Sequence, residues 1–148
     1  SIELGATLRD LGVTSLEEVD PKTRTRIEAG AGILGVDYVR MRRRRAAMVA
    51  AFEAGMAEDE AYILPTTPIQ APTIASVADD AGFHRANGLV LRNPRVGNLL
   101  DTPSVSLPAP VPAGALPAGL MLMGRRGADR RLLAIAAAVE VALLAGCV

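Results

Sequence analysis

The sequence is poor in the residues that carry most protein chemistry and that hold small folds together. Its 148 residues include one cysteine, one histidine, four aromatic residues and no tryptophan. A single cysteine, Cys147, can form no disulfide within the chain, so a reducing compartment is expected. With so few aromatics, a core must be built from aliphatic side chains, which suits helices packed on a sheet. Acidic and basic residues balance at 16 each, so no overall field favours nucleic acid as a partner.

Neither end of the sequence resembles a targeting or membrane segment. Residues 1–9 contain Glu3 and no apolar run, unlike a secretory signal. Residues 132–148 are apolar apart from Glu140, but the stretch is short for a bilayer span, and a central carboxylate costs about 2.5–3.5 kcal/mol there. We therefore expect a buried helix in this stretch, no membrane partner and a cytoplasmic protein.

The first sixty residues are predicted to be mainly helical. Asp20 followed by Pro21 predicts a capped short helix that extends to about Ala29. Asp37 is predicted to cap a long helix from Tyr38 to about Glu58. Its apolar face is predicted to contain Tyr38, Met41, Arg45, Met48, Phe52 and Met56.

The composition changes after residue 60, because nine of the ten prolines lie between Pro65 and Pro117. A buried strand is predicted at 61–64, a loop with at most one helical turn near Ala78 at 69–88, and a short helix within 89–100. Residues 104–107 and 119–123 are predicted to form an antiparallel pair of strands. A closing helix, capped by Asp129, is predicted at 130–144. Its inward residues are Leu132, Ile135, Ala136, Val139 and Leu143.

These elements predict an α/β protein in which helices cover a sheet. We interpret residues 1–148 as a single partial domain. Residues 1–60 form its mainly helical part, and residues 61–148 form its strands, Pro-rich loops and closing helix.

Few residues could act as a nucleophile and its base. A nucleophilic serine needs a base within hydrogen-bonding reach and donors for an oxyanion. His84 and Lys22 are the available His and Lys side chains, and both are expected to be solvated or structural. Ser104 and Ser106 lie two apart on a strand, away from any strand-to-helix elbow, which favours a packing role. We expect no catalytic residue, no metal site and no cofactor in this chain.

One basic cluster, Arg40 with Arg42 to Arg45, leaves an alternative open. It could serve as a patch for nucleic acid or an acidic partner. The chain is neutral overall, and consecutive arginines on a helix point around the cylinder, so no nucleic-acid partner is the favoured prediction.

Several segments, taken in order, resemble the last third of the amidase signature family. Asp37-Tyr38-Val39 with Arg44 resembles the family's helix before the sheet, and residues 61–68 resemble its strand ending in Pro-Thr-Thr-Pro. Arg92-Asn93 continues the match. Residues 98–108 are similar to Asn-Leu-x-Gly-x-Pro-x-x-Ser-x-Pro, and 116–124 are similar to Leu-Pro-Val-Gly-Leu-Gln-Leu-Val-Gly. The resemblance covers roughly residues 20–145.

The departures from this pattern concern individual side chains and one whole region. Asp101 stands where the family commonly has Gly, and Ala118 and Met121 replace its Val and Gln. The family's Gly/Ser-rich signature, with its nucleophilic serine, bridging serine and lysine base, has no counterpart in this chain. The resemblance thus implies the C-terminal part of a mixed sheet covered by helices, without the Ser-Ser-Lys catalytic region.

The resemblance also implies a function. We expect a C-terminal fragment of an amidase-type hydrolase acting on a carbon-nitrogen amide bond, catalytically silent alone. Thr66, Thr67, Arg92 and Asn98 are the expected wall of the substrate pocket. The expected partners are the missing N-terminal part, a small amide substrate and, as a homo-oligomer, further copies of the chain. The alternative is a non-catalytic interaction module that self-associates or pairs with another chain.

Overall fold

A computed structural model of the chain describes residues 2–57 and 60–146. The chain divides into two compact units, residues 1–44 and 45–148. Each unit is described separately below.

The first unit is helical. It contains α1 (Ile2–Asp10), α2 (Pro21–Ala31) and the first half of α3 (Gly35–Ala54). The predicted cap of α2 is confirmed, because the Asp20 carboxylate accepts a hydrogen bond from the Thr23 amide at 3.0 Å. No helix was predicted at α1, whose sequence has no strong apolar periodicity. α1 packs on α2, where Ile27 is buried.

The long helix differs from its prediction in position and in its buried face. α3 begins at Gly35, so Asp37 lies inside the helix and the prediction of an N-cap was wrong; Asp37 instead pairs with Arg40 at 3.6 Å. The helix ends at Ala54, before Gly55, and the predicted end at Glu58 lies outside the described residues. Met41 and Met48 are 55% and 47% exposed, so the predicted apolar face was wrong there.

The second unit is built on a sheet of three described strands in the order β1-β3-β2. They are β1 (Tyr62–Pro65), β2 (Ser104–Pro108) and β3 (Gly119–Met123). Both pairings are antiparallel, which confirms the predicted pair at 104–107 and 119–123. The buried strand predicted at 61–64 exists at β1, but Tyr62 and Ile63 are 47% and 57% exposed, so the predicted burial was wrong.

Helices pack around this sheet. A 3₁₀ turn (Ala75–Val77) and α4 (Asp80–Val90) occupy much of the predicted loop at 69–88, so the loop prediction was wrong beyond the expected turn. α5 (Pro94–Leu100) is the short helix expected after Pro94, and α6 (Asp129–Leu144) is the closing helix. Asp129 is the first residue of α6 and Ala128 is its N-cap, so the predicted cap was wrong.

The core of the second unit lies between the sheet and α6. Leu107 and Leu122 from the strands meet Leu132 and Ala136 from the helix, and Leu122 is fully buried. The partly buried Ile135, Val139 and Leu143 pack against this cluster, which confirms the predicted inward face of α6. The observed architecture is therefore the predicted α/β class, with helices on a sheet.

In residues 2–57 and 60–146, no helix combines the length and apolar character needed to cross a membrane.

Candidate functional site

Thr66 follows directly after β1 and meets a hydroxyl from the far edge of the sheet. The Thr66 and Ser106 side-chain oxygens are 2.5 Å apart, and the Thr66 amide donates to the Gly119 carbonyl at 2.7 Å. Alternate residues of a strand share a face. The register therefore places Thr66, Gly119 and Ser106 on one face of the sheet.

Gly119 makes this hydroxyl contact possible. β3 lies between β1 and β2, so the two hydroxyls must meet over its backbone. A Cβ atom at Gly119 would come within 2.5 Å of the Thr66 hydroxyl oxygen and 2.8 Å of that of Ser106. The absence of a side chain at this position is therefore a requirement of the pair.

Asn93 ties the start of α5 to the same end of β1. Its side-chain amide donates to the carbonyl of Pro65 at 2.7 Å. The neighbouring Arg92 is exposed, and its Nε contacts the Asn93 side-chain oxygen at 3.5 Å, a long hydrogen bond. A chain of contacts thus runs from Arg92 through Asn93 and Pro65 to Thr66.

Thr67 and Asn98, the other two predicted wall residues, lie outside this chain of contacts. The Thr67 hydroxyl donates to the Ile69 carbonyl two residues on at 2.9 Å, which closes a local turn. Asn98 is exposed on α5, and its backbone carbonyl accepts from Arg45 at 3.4 Å. The geometry thus connects Arg92 with Thr66 and leaves Asn98 in a separate cluster of charged residues.

That second cluster is built around the C-terminal end of α5. Arg45 Nε donates to the Leu99 carbonyl at 2.8 Å, where a helix C-terminus favours a cation. Its Nη2 lies 3.8 Å from the Asp101 carboxylate. Arg126 joins Asp101 at 3.8 Å to Glu53 at 3.3 Å. The cluster therefore links three elements: the end of α3, the end of α5 and the loop before α6.

Asp101 has the backbone conformation that glycine usually supplies. It caps the C-terminus of α5 with φ +61° and ψ +41°, in the left-handed region. Helices commonly end with a glycine in this conformation, and Asp tolerates it better than most residues. The departure from glycine noted in the sequence thus falls on a strained backbone position, and the side chain gained there contacts two arginines.

Hydroxyl groups in the described part of the chain bind neutral partners. Ser106 contacts the Thr66 hydroxyl, Ser76 donates to the Thr73 carbonyl, and Ser15 accepts from the Glu17 amide. A neutral hydroxyl or a backbone group does not withdraw the proton that a serine must lose to become a nucleophile.

The two possible bases lie elsewhere. His84 is exposed on α4 and stacks edge-on against Phe83 with ring centroids 5.6 Å apart. Lys22 belongs to the first unit, whereas Ser104 and Ser106 belong to the second. Among residues 2–57 and 60–146, no group of three His, Cys, Asp or Glu side chains could hold a metal ion.

The arginine-rich start of α3 is used within each unit. In the first unit Arg42 pairs with the Glu3 carboxylate at 2.8 Å, and Tyr38 donates to the same oxygen at 2.9 Å. In the second, Arg45 binds the end of α5. These contacts give part of the cluster a structural role in its own unit.

Sequence reasoning missed Asn93 and Arg45 as organising residues. Asn93 had a usable signal, since it directly precedes the proline that begins α5. Arg45 had none, because its partners are backbone carbonyls 53 and 54 residues away in the sequence.

The fold is that of an amidase. A solved amidase crystal structure superposes with a TM-score of 0.74 at 24% identity, over 96% of this chain and 33% of that one. Residues 6–133 also match the family model described as Amidase, so the chain belongs to the amidase family.

Individual relatives are much longer than this chain. The 2-amino-5-chloromuconic acid deaminase of Comamonas testosteroni is 31% identical over 142 residues, which are 93% of this chain and 30% of that protein. A glutamyl-tRNA(Gln) amidotransferase subunit from Salinispora tropica is 29% identical over 154 residues, which cover 94% of this chain and again 30% of that protein. The chain thus spans under a third of these relatives.

Proposed function

We propose that this chain is the C-terminal part of an amidase that hydrolyses a carbon-nitrogen amide bond through a serine acyl-enzyme, and that it is catalytically silent alone. The family membership supports the reaction class, and fatty acid amide hydrolases of Oryza sativa, 29% identical over 120 residues, are among its relatives. The missing N-terminal part of the same enzyme would supply the serines and the lysine.

The environment of the hydroxyls carries the proposal of silence. Acyl transfer from an amide needs a hydroxyl beside a poised base. Ser106 sits beside another hydroxyl, and His84 lies exposed against Phe83. An activated serine must therefore come from outside this chain.

We further propose that Thr66, Thr67, Arg92 and Asn98 line the substrate pocket of the complete enzyme. Thr66 and Arg92 are linked through Asn93, and Arg92 presents an exposed guanidinium that suits a polar or anionic group on a small amide. No cofactor is needed for this reaction. The proposed location of the enzyme is the cytoplasm.

Amide hydrolysis by the purified 148-residue chain tests silence directly. Chromogenic anilides and small primary amides should be hydrolysed no faster than in buffer, and a fluorophosphonate probe should label no serine. Activity above buffer that disappears with a Ser106→Ala change would refute the proposal.

The coding sequence upstream of Ser1 supplies the second test. A reading frame that continues into a lysine and a Gly-Gly-Ser-Ser-Gly stretch agrees with the proposal, and an unrelated upstream domain contradicts it. In the longer enzyme, Arg92→Ala should raise KM at least about tenfold, the equivalent of about 1.4 kcal/mol of binding. Arg85→Ala on α4, also exposed, is the matched control and should leave KM unchanged.

The alternative is a non-catalytic interaction module, favoured by the exposed apolar side chains of the edge strand β1. Tyr62 and Ile63 are 47% and 57% exposed there, and edge strands invite pairing with another chain. Sedimentation of the purified chain separates the two functions. A monomer with little dye-binding apolar surface would count against the module.

A further inference from the structure

The face of α6 that points away from the sheet is also largely apolar. Residues three, four and seven apart lie on one face of a helix. We define the outer stripe as six such residues on the side opposite Leu132 and Ala136. They are Arg130, Leu133, Ala137, Glu140, Val141 and Leu144. All six are exposed, and Leu133, Val141 and Leu144 show 60%, 66% and 84% of their surface.

A helix that is apolar on two opposite faces usually has a partner on both. The inner face of α6 packs against β2 and β3 in the core of the second unit. The outer stripe has no such cover in the described part of the chain, and exposed apolar surface of this kind marks interaction sites.

Two charges on the outer stripe indicate what covers it. Arg130 and Glu140 are ten residues apart, about 15 Å along the helix. Neither forms a salt bridge with another residue in 2–57 or 60–146. One end of the stripe is therefore positive and the other negative, with Leu133 and Ala137 between them.

This arrangement is complementary to itself when reversed. An antiparallel second copy of α6 brings Arg130 of each chain to Glu140 of the other, and Leu133 to Ala137. Such a contact is two-fold symmetric, and the small Ala137 allows the helices to approach. The antiparallel direction also opposes the helix dipoles, whereas a parallel pair would place like charges together.

We propose that the outer stripe is a self-association surface on which α6 pairs antiparallel with α6 of a second copy of this chain. The overlapping part of the stripe is about 16 Å long and about 10 Å wide. That is far less than the roughly 800 Å² per partner of a standard interface, so the dimer is weak and reversible. The proposal is independent of amide hydrolysis.

Charge reversal in the full 148-residue chain tests the pairing. Arg130→Glu alone, or Glu140→Arg alone, places like charges in both symmetric contacts. Sedimentation equilibrium up to about 1 mM chain should show each single variant associating at least about tenfold more weakly than the natural sequence, a loss of about 1.4 kcal/mol. The double variant R130E/E140R restores opposite charges and should return to within about threefold.

The variants are chosen to keep the helix intact. An acid in the first turn and a base near the last turn both agree with the helix dipole, and far-ultraviolet circular dichroism checks the fold. Arg131→Glu is the matched control, because Arg131 is exposed but lies about 120° around the helix from the centre of the stripe. It should leave association unchanged.

Four outcomes overturn the proposal. They are a monomer at every concentration, single reversals that associate like the natural sequence, a double variant no better than the singles, and equal weakening by Arg131→Glu. Association that survives the reversals but is lost on Ile63→Lys would assign self-association to the β1 edge instead. If the longer enzyme buries the stripe against its own N-terminal part, the charge swap will leave its association unchanged, and the proposal fails there also.

Discussion

Substitution of Asp101 separates the strain of its backbone from the charge of its side chain. Gly removes both the strain and the charge, Asn removes the charge alone, and Ala removes the charge while keeping a Cβ in the left-handed region. The φ angle of +61° costs an ordinary residue about 1–2 kcal/mol, and Asp or Asn less. Alanine therefore has the largest strain of the four residues.

The charge contributes less than the backbone. Asp101 is 56% exposed and lies 3.8 Å from both Arg45 and Arg126, so each ion pair contributes a few tenths of a kcal/mol. Asp101→Asn should cost about 0.5 kcal/mol, and Asp101→Ala about 1–1.5 kcal/mol. Asp101→Gly should be neutral to slightly stabilising, because relief of strain offsets the lost pairs and the greater freedom of the unfolded chain.

Urea unfolding measures these differences. Near-ultraviolet circular dichroism of Tyr62 reports on the second unit once Tyr38→Phe has removed the other tyrosine, and all variants should share that background. About 0.5 M salt should bring Asn closer to the natural sequence and leave Ala behind, because salt screens exposed pairs and not strain. A glycine variant weakened by more than about 1 kcal/mol, or an alanine variant equal to asparagine, would refute the reasoning.

Three other substitutions test the fold by urea unfolding. Leu122→Ala should cost about 2–5 kcal/mol, because its fully buried side chain leaves a cavity between the sheet and α6. Gly119→Ala should cost about 1–3 kcal/mol, since its new methyl group overlaps the hydroxyls of Thr66 and Ser106. Asp20→Ala should cost about 1 kcal/mol in the first unit, because α2 loses its cap.

Each of these changes has a matched control. Leu99→Ala, at a 46% exposed position, should cost well under half as much as Leu122→Ala. Gly88→Ala, where a Cβ meets open space in α4, should stabilise by about 0.5–1 kcal/mol. Asp20→Asn keeps the cap and should be nearly neutral. Equal effects of either glycine substitution, or equal effects of Ala and Asn at position 20, would contradict the contacts described.

Periodicity in the sequence predicted the elements whose packing is simple. α6 and the antiparallel pair β2 and β3 follow from an unbroken pattern of aliphatic side chains, and they form the core as expected. α4 was missed because Gly82 and Gly88 read as loop residues. Gly82 is in fact buried against the Ser76 carbonyl, where a side chain would clash, and the cap at Asp79 was the available signal.

The buried face of α3 could not be read from side-chain size alone. Counting large residues favoured Met48, which is exposed, over its smaller neighbour Val49, which is buried. Arg45 lies on the inward side because the carbonyls at the end of α5 need a donor, and periodicity contains no information on such distant partners. For the site, the predicted wall residue Thr66 stays a prediction, and its contact with Ser106 required the register of the strands.

The hydroxyl pair over Gly119 also constrains how this sequence can change. Thr66, Ser106 and Gly119 come from three separate strands or strand ends, yet none can be replaced without altering what the other two meet. A larger residue at 119 becomes tolerable only after both hydroxyl-bearing side chains have shrunk. Evolution or laboratory selection should therefore alter these three positions as a set, with the smaller neighbours appearing before the larger central residue.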